Sequence, residues 1–287
     1  LLCTWYVQQS FCVKWGTMFS NSFNVTNGVR QGGILSPILF NFYLEDLSHI
    51  LIKAGVGCFM NGQCFNHLFY ADDCVLIGPS PRSLQVLLNL CEDFADRNEL
   101  VYNEKKTKCM VFMPRKMNDL YVPDFKLKGA ALNKVIKQKY LGVFLCENQM
   151  DDCDIQRQMK SIYGRGNMLI RKFKFCTEEV KIKLFKAYCN SFYCSQLWCK
   201  YKKESIRKLT TAYKRIYRNF IGLNYDTSIS YHFVCNNVDA VDVVMRKLIF
   251  SLRSRVLESD NDLVSSIISS PFMYDLSLTK AWHERLF

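Results

Sequence analysis

Apolar side chains recur at three- and four-residue steps in two stretches of the first hundred residues, and each predicts a helix. Leu35, Ile38, Leu39, Phe42, Tyr43, Leu47, Ile50 and Leu51 define one apolar face, with Ser36 as N-cap, Pro37 behind it, and Gly55 and Gly57 as the stop. Leu84, Leu87, Leu88, Cys91, Phe94 and Ala95 define another, opened by Ser80-Pro81, with Glu92, Asp93, Asp96 and Arg97 outward. Between the two, apolar runs flank the step Ala71-Asp72-Asp73, a β-hairpin pattern with two carboxylates at its tip. Trp5 to Val25 predicts a helix end and a strand pair turning near Ser20-Asn21-Ser22. Further strands are expected over Lys108–Phe112, near Phe125–Leu127 and Leu132–Val135, and as one strand through Tyr140–Leu145.

Beyond Asp151 the period becomes helical. Ile155, Met159, Ile162, Leu169 and Phe173 form a stripe that Gly164 and Gly166 threaten to break. Thr177 is a candidate cap ahead of Glu178 and Glu179, whose charges suit a helix N-terminus. From about Glu204 to Ile221, Ile206, Leu209, Tyr213, Ile216, Tyr217 and Phe220 fall on one side of the helical wheel. Arg207, Lys208, Lys214, Arg215 and Arg218 fall on the other, and Gly222 ends the helix. A further helix runs through Val241, Val244, Leu248 and Leu252. Helices mixed with antiparallel strands argue for an α+β fold with helices on one face of a sheet.

Charge adds a division that the hydrophobic pattern does not give. Residues 1–153 carry 15 basic and 14 acidic side chains, whereas residues 154–287 carry 23 and 12, so nearly all of the net +12 lies in the second half. That imbalance points to a polyanion held there, and segment 200–218, with eight basic residues against Glu204 alone, is its densest part. No run is long enough to span a bilayer, and no signal peptide opens the sequence. The 14 cysteines include no Cys-x-x-Cys pair, which argues against structural zinc and for free thiols in a reducing compartment, nucleus or cytoplasm. The first residue is Leu, not Met, as expected of a piece of a longer protein.

Two segments carry candidate chemistry. Asp72 and Asp73 offer hard oxygen donors suited to Mg²⁺ or Mn²⁺, although Asp also favours turns for its own backbone hydrogen bonding. Thr26 to Gly33 is a polar, glycine-rich loop ahead of the first helix. There Gly32 and Gly33 would let backbone approach a base pair or a nucleotide closely.

Taken in order, these segments resemble the motifs of reverse transcriptases. Gly28-Val29-Arg30-Gln31-Gly32-Gly33-Ile34-Leu35-Ser36-Pro37-Ile38-Leu39-Phe40-Asn41 resembles motif B, and Tyr70-Ala71-Asp72-Asp73 resembles motif C. Asn103-Glu104-Lys105-Lys106-Thr107 is similar to motif D and Tyr140-Leu141-Gly142 to motif E. The form of motif B is that of the non-LTR (LINE-type) retrotransposon branch. The resemblance is strong over roughly residues 5–145 and continues more weakly through the helical region after them. It implies a partial right-hand polymerase palm over 1–145, a helical thumb over 146–225 and a helical tail over 226–287.

The resemblance further implies an RNA-directed DNA polymerase acting on an RNA template, a DNA primer and deoxynucleoside triphosphates, by two-metal nucleotidyl transfer. Asp72 and Asp73 would bind the catalytic Mg²⁺ (or Mn²⁺). Arg30, Gln31, Gly32 and Tyr70 would lie against template and incoming nucleotide. Lys106 would neutralise or protonate the leaving pyrophosphate, and Tyr140, Leu141 and Gly142 would form the primer grip. Arg207, Lys208, Lys214, Arg215 and Arg218 would follow the product duplex. The family draws a further metal-binding Asp from a motif A strand upstream of motif B, yet no Asp or Glu occurs before Glu45. Glu45 and Asp46 lie on the motif B helix, outside the ligand pattern. The chain alone is therefore expected to be inactive. The alternatives are a non-catalytic nucleic-acid-binding relic and an intron maturase-like splicing factor.

Overall fold

The structure, a computed structural model, describes residues 8–25, 28–113 and 121–286. The helix end expected near Trp5, and Thr26 and Asn27 of the glycine loop, lie outside them. The chain divides into two compact units, Leu1–Cys58 with Cys64–Leu100, and Phe59–Gln63 with Val101–Phe287.

In the first unit, β1 (Ser10–Phe11) pairs with β4 (Phe23–Asn24) around an inner hairpin of β2 (Lys14–Trp15) and β3 (Met18–Phe19). The reversal therefore falls at Gly16-Thr17 and not at Ser20–Ser22, because Gly16 supplies the positive φ of +61° that a two-residue hairpin turn needs. Helix α1 (Ser36–Lys53) follows, ended by Gly55 at φ +66°. Its cap differs from expectation: Leu35 occupies the N-cap position, and the Ser36 hydroxyl donates to the Arg30 carbonyl instead of capping the helix. Only Leu44, Leu47 and Leu51 of its apolar side are buried, while Ile38 and Phe42 stand exposed.

Next come β5 (Cys58–Met60), β6 (Gln63–Phe65), β7 (His67–Tyr70) and β8 (Asp73–Leu76), then α2 (Pro81–Arg97). Here the serine–proline signal works as expected. Ser80 is the N-cap, and its hydroxyl accepts from the Ser83 amide while the Ser83 hydroxyl faces the Ser80 amide. Leu87, Leu88, Cys91, Phe94 and Ala95 are buried, as the stripe predicts.

From Val101 onward the second unit begins with short strands: β9 (Lys108–Cys109), β10 (Lys126–Leu127), β11 (Ala130–Ala131), β12 (Asn133–Lys134), β13 (Lys137–Tyr140) and β14 (Val143–Cys146). Tyr140–Leu145 is not a single strand. Leu141 and Gly142, at φ +44° and +84°, form the turn of a β13–β14 hairpin in which Tyr140 faces Val143. Every ladder among the described residues has two strands, and β9–β12 is parallel. The broad antiparallel sheet expected from the sequence is thus replaced by separate ladders. Strands of two to four residues offer too little edge for a third partner.

Helices α3 (Asp152–Lys172), α4 (Glu178–Cys189), α5 (Lys203–Ile221), α6 (Ile229–Cys235), α7 (Val241–Leu257), α8 (Asp262–Ile268) and α9 (Ser277–Leu286) build the rest. Their core gathers Ile162 and Leu169 from α3, Phe185 from α4, Tyr213 and Tyr217 from α5 and Trp198 from the α4–α5 connection. Helix α3 runs unbroken through Gly164 and Gly166. A Cβ on Gly166 would meet Ile216 Cγ2 at 2.3 Å, so this glycine admits α5 to close packing and does not end α3. No helix among the described residues is long and apolar enough to cross a membrane.

Candidate active site and nucleic-acid interface

The carboxylate hairpin is held by a ladder of four residue pairs, from His67 opposite Leu76 to Tyr70 opposite Asp73. Its turn is two residues long, Ala71 and Asp72, and Ala71 adopts φ +51°. A non-glycine residue there costs about 1–2 kcal/mol, which the paired strands behind it must offset. Asp72 therefore sits in the turn itself, while Asp73 opens β8 on the same face as Tyr70. Both carboxylates are exposed, and neither has an ion-pair partner among the described residues.

Behind the turn, two links fix the hairpin. On β8, the Cys74 thiol hydrogen-bonds to Cys91 of α2, and that bond together with burial pushes its pKa far above the ordinary thiol range. At the start of β7, the buried Asn66 side chain donates through Nδ2 to the carbonyls of Leu51 (2.6 Å) and Val56 (2.8 Å). Its Oδ1 must then be the acceptor at 2.7 Å from His67 Nδ1, so His67 carries its proton on Nδ1. Nε2 is left to accept from the Ser48 hydroxyl of α1 at 2.8 Å. Burial lowers the His67 pKa, which favours this neutral, directional form. The helix behind the glycine loop and the strand leading to Asp72 are thereby joined. Sequence periodicity could not show this, because it marks apolar faces and not polar pairs.

The glycine loop is shaped from within. Gly33 donates to the Arg30 carbonyl at 3.0 Å, and a Cβ on Gly33 would meet Ser36 Oγ at 2.6 Å. Its missing side chain thus serves an internal contact. Gly32, at φ +79° with open space around its Cβ position, is the glycine turned outward, and Arg30 and Gln31 beside it are exposed. The Arg30 guanidinium lies 5.7 Å from the centre of the Phe11 ring.

In the second unit, Lys106 is exposed on a turn stapled by Asn103, whose Oδ1 and carbonyl both accept from the Lys106 amide. Leu141 and Gly142 meet Tyr193, whose hydroxyl donates to the Leu141 carbonyl at 2.9 Å. On α5, Arg207 and Lys208 share Glu204, at 2.8 and 3.8 Å. Arg218 reaches past the helix end to the carbonyls of Asn224 and Thr227 and lies over Tyr225. Arg215 is exposed and Lys214 half-exposed.

Among the described residues no three His, Cys, Asp or Glu side chains group as a metal site. The two hairpin carboxylates offer oxygen donors of the kind a hard divalent cation takes, and neither meets a cationic partner among the described residues.

Set beside known proteins, residues 3–145 match the family described as reverse transcriptase (RNA-dependent DNA polymerase). The chain is also 31% identical, over 43% of its length, to a retrovirus-related Pol polyprotein from a type-2 retrotransposable element of Drosophila melanogaster. The match covers 12% of that polyprotein. The ordered motifs, the hairpin that displays Asp72 and these two likenesses agree: over residues 3–145 the chain belongs to the reverse transcriptase family, of the retrotransposon kind that its motif B suggests.

Proposed function

We propose that this chain supplies part of the nucleotide-transfer centre of a retrotransposon RNA-directed DNA polymerase. The observation that carries the reading is Asp72, exposed and, among the described residues, free of any cationic partner in the two-residue turn of a buttressed hairpin, inside the segment of family likeness. Asp72 and Asp73 would hold Mg²⁺ or Mn²⁺. When bound, such ions lower the pKa of a primer hydroxyl and stabilise the departing pyrophosphate. The remaining work is positioning and charge.

Gln31 and Gly32 present an open edge to a template base or nucleotide, with Arg30 beside them for phosphate and Tyr70 as a flat apolar surface next to Asp73. Lys106 Nζ, exposed and carried on a fixed turn, donates a proton to a pyrophosphate oxygen. The Leu141–Gly142 turn seats the primer terminus, and the α5 surface with Lys214 and Arg215 follows the duplex phosphates. Two adjacent carboxylates bind such cations weakly, so extension is expected to need a further acidic ligand beyond those described.

The test is Mg²⁺-dependent extension of a DNA primer on RNA, by the chain alone and joined to the coding sequence that precedes it. Extension by the longer protein, abolished by Asp72→Asn with duplex binding unchanged, supports the reading. Binding without extension from either protein favours the non-catalytic alternative, to which the excess basic charge of residues 154–287 lends its weight.

A further inference from the structure

Tyr193, on the connection after α4, lies outside the segment of family likeness, yet it touches the β13–β14 turn at two points. Its hydroxyl donates to the Leu141 carbonyl at 2.9 Å, and its ring edge fills the space that a side chain at position 142 would need, with Cε1 2.9 Å from an ideal Cβ there. Only glycine fits both this contact and the local φ of +84°. Leu141 itself holds φ +44°, a conformation that persists only where its surroundings enforce it.

Tyr193 is in turn fixed from behind. Arg157 Nη2 donates to its carbonyl at 3.2 Å, and the guanidinium lies 5.9 Å from its ring centre. Asp154, fully buried at the start of α3, takes both arms of Arg157 at 2.6 and 3.0 Å. The same carboxylate accepts from the Phe144 amide of β14 at 3.0 Å and from Trp198 Nε1 at 2.9 Å. One buried carboxylate therefore anchors both the hairpin and the residue that presses on its turn.

We infer that Tyr193 is a positioning residue that sets the Leu141–Gly142 turn, and through it the seat of a primer 3′ terminus. The terminus part of this inference rests on the polymerase reading above; the clamp itself does not. A helical segment following the palm-like region would then dictate the shape of a site which the family likeness places wholly before it.

Two measurements on the chain, wild type and Tyr193→Phe, decide the matter. Amide hydrogen exchange of residues 137–146 without nucleic acid tests the clamp. Loss of one hydrogen bond should speed exchange at the turn about fivefold, with the melting temperature nearly unchanged. For the terminus, a DNA primer annealed to RNA carries 2-aminopurine at its 3′ end, and a dye far upstream reports overall affinity. Tyr193→Phe should keep the duplex Kd within about twofold while the 2-aminopurine signal reverts toward that of free duplex. Gly142→Ala, which drives a methyl group into Tyr193, should do the same. Unchanged exchange overturns the clamp. Faster exchange with an unchanged terminal signal overturns the positioning role. A wild-type chain that binds no duplex overturns the polymerase reading and the assignment of a primer terminus with it, and leaves the exchange result to judge the clamp.

Discussion

At the scale of single residues, Asp154 ties β14, Arg157 and Trp198 of the second unit together. Burial alone would raise its pKa, but Arg157, the Phe144 amide and Trp198 together outweigh that and hold it below the usual carboxylate value. A depressed folded-state pKa contributes stability that is present above the unfolded pKa, about 3.9, and is lost as pH falls through the lower folded value. Asp154→Asn should therefore cost on the order of 3–5 kcal/mol near neutral pH, because it strands the Arg157 charge. In thermal melts the gap between wild type and variant should narrow as pH drops below about 4; a gap that stays constant would mean that Asp154 acts through packing and not charge. A casual reading of the sequence passes over this residue, since Asp151, Asp152 and Asp154 look like ordinary helix N-terminal acids. Its signal was the Arg three residues on, at a spacing that brings side chains together.

At the scale of elements, the close contact of α3 and α5 is the sharpest test of packing. Gly166→Ala should gain about 1 kcal/mol of helix propensity and lose more than that to collision with Ile216, for a net loss of about 1–3 kcal/mol in chemical denaturation. Adding Ile216→Ala should recover part of that loss, so that the double variant is more stable than the sum of the single changes predicts. This contact also shows why Gly166 was misjudged from sequence. Propensity sees the cost of a missing side chain and is blind to a partner that needs the room. The same blindness merged β13 and β14 into one strand, since Leu141 is a poor turn residue in isolation and keeps its positive φ through a contact 52 residues away. By contrast, Ser80 with its cap and the stripe from Leu87 to Ala95 were fully legible, because both are local.

At the scale of the whole molecule, the uneven charge predicts that affinity for nucleic acid falls steeply with salt. Removing Arg215 should reduce the slope of log K against log salt by about one unit, without altering sequence preference. Arg218→Ala should instead lower the melting temperature, since that side chain holds the carbonyls beyond the end of α5. A slope change from Arg218→Ala equal to that from Arg215→Ala, with no loss of stability, would show that Arg218 serves the nucleic-acid surface as Arg215 does. The order of motifs was readable from residue types alone. The division into separate ladders was not, because it depends on how much edge each short strand offers.

The two-residue turn that carries Asp72 has a bearing on how this segment can change over generations. At Ala71 a glycine would relieve strain. A single inserted codon is a different matter. It would shift the pairing of β8 by one position, reverse the facing of every side chain from Asp73 onward and turn Cys74 away from Cys91. Descendants of this chain should therefore hold the hairpin's length constant, and exchange Ala71 for glycine sooner than they alter either aspartate.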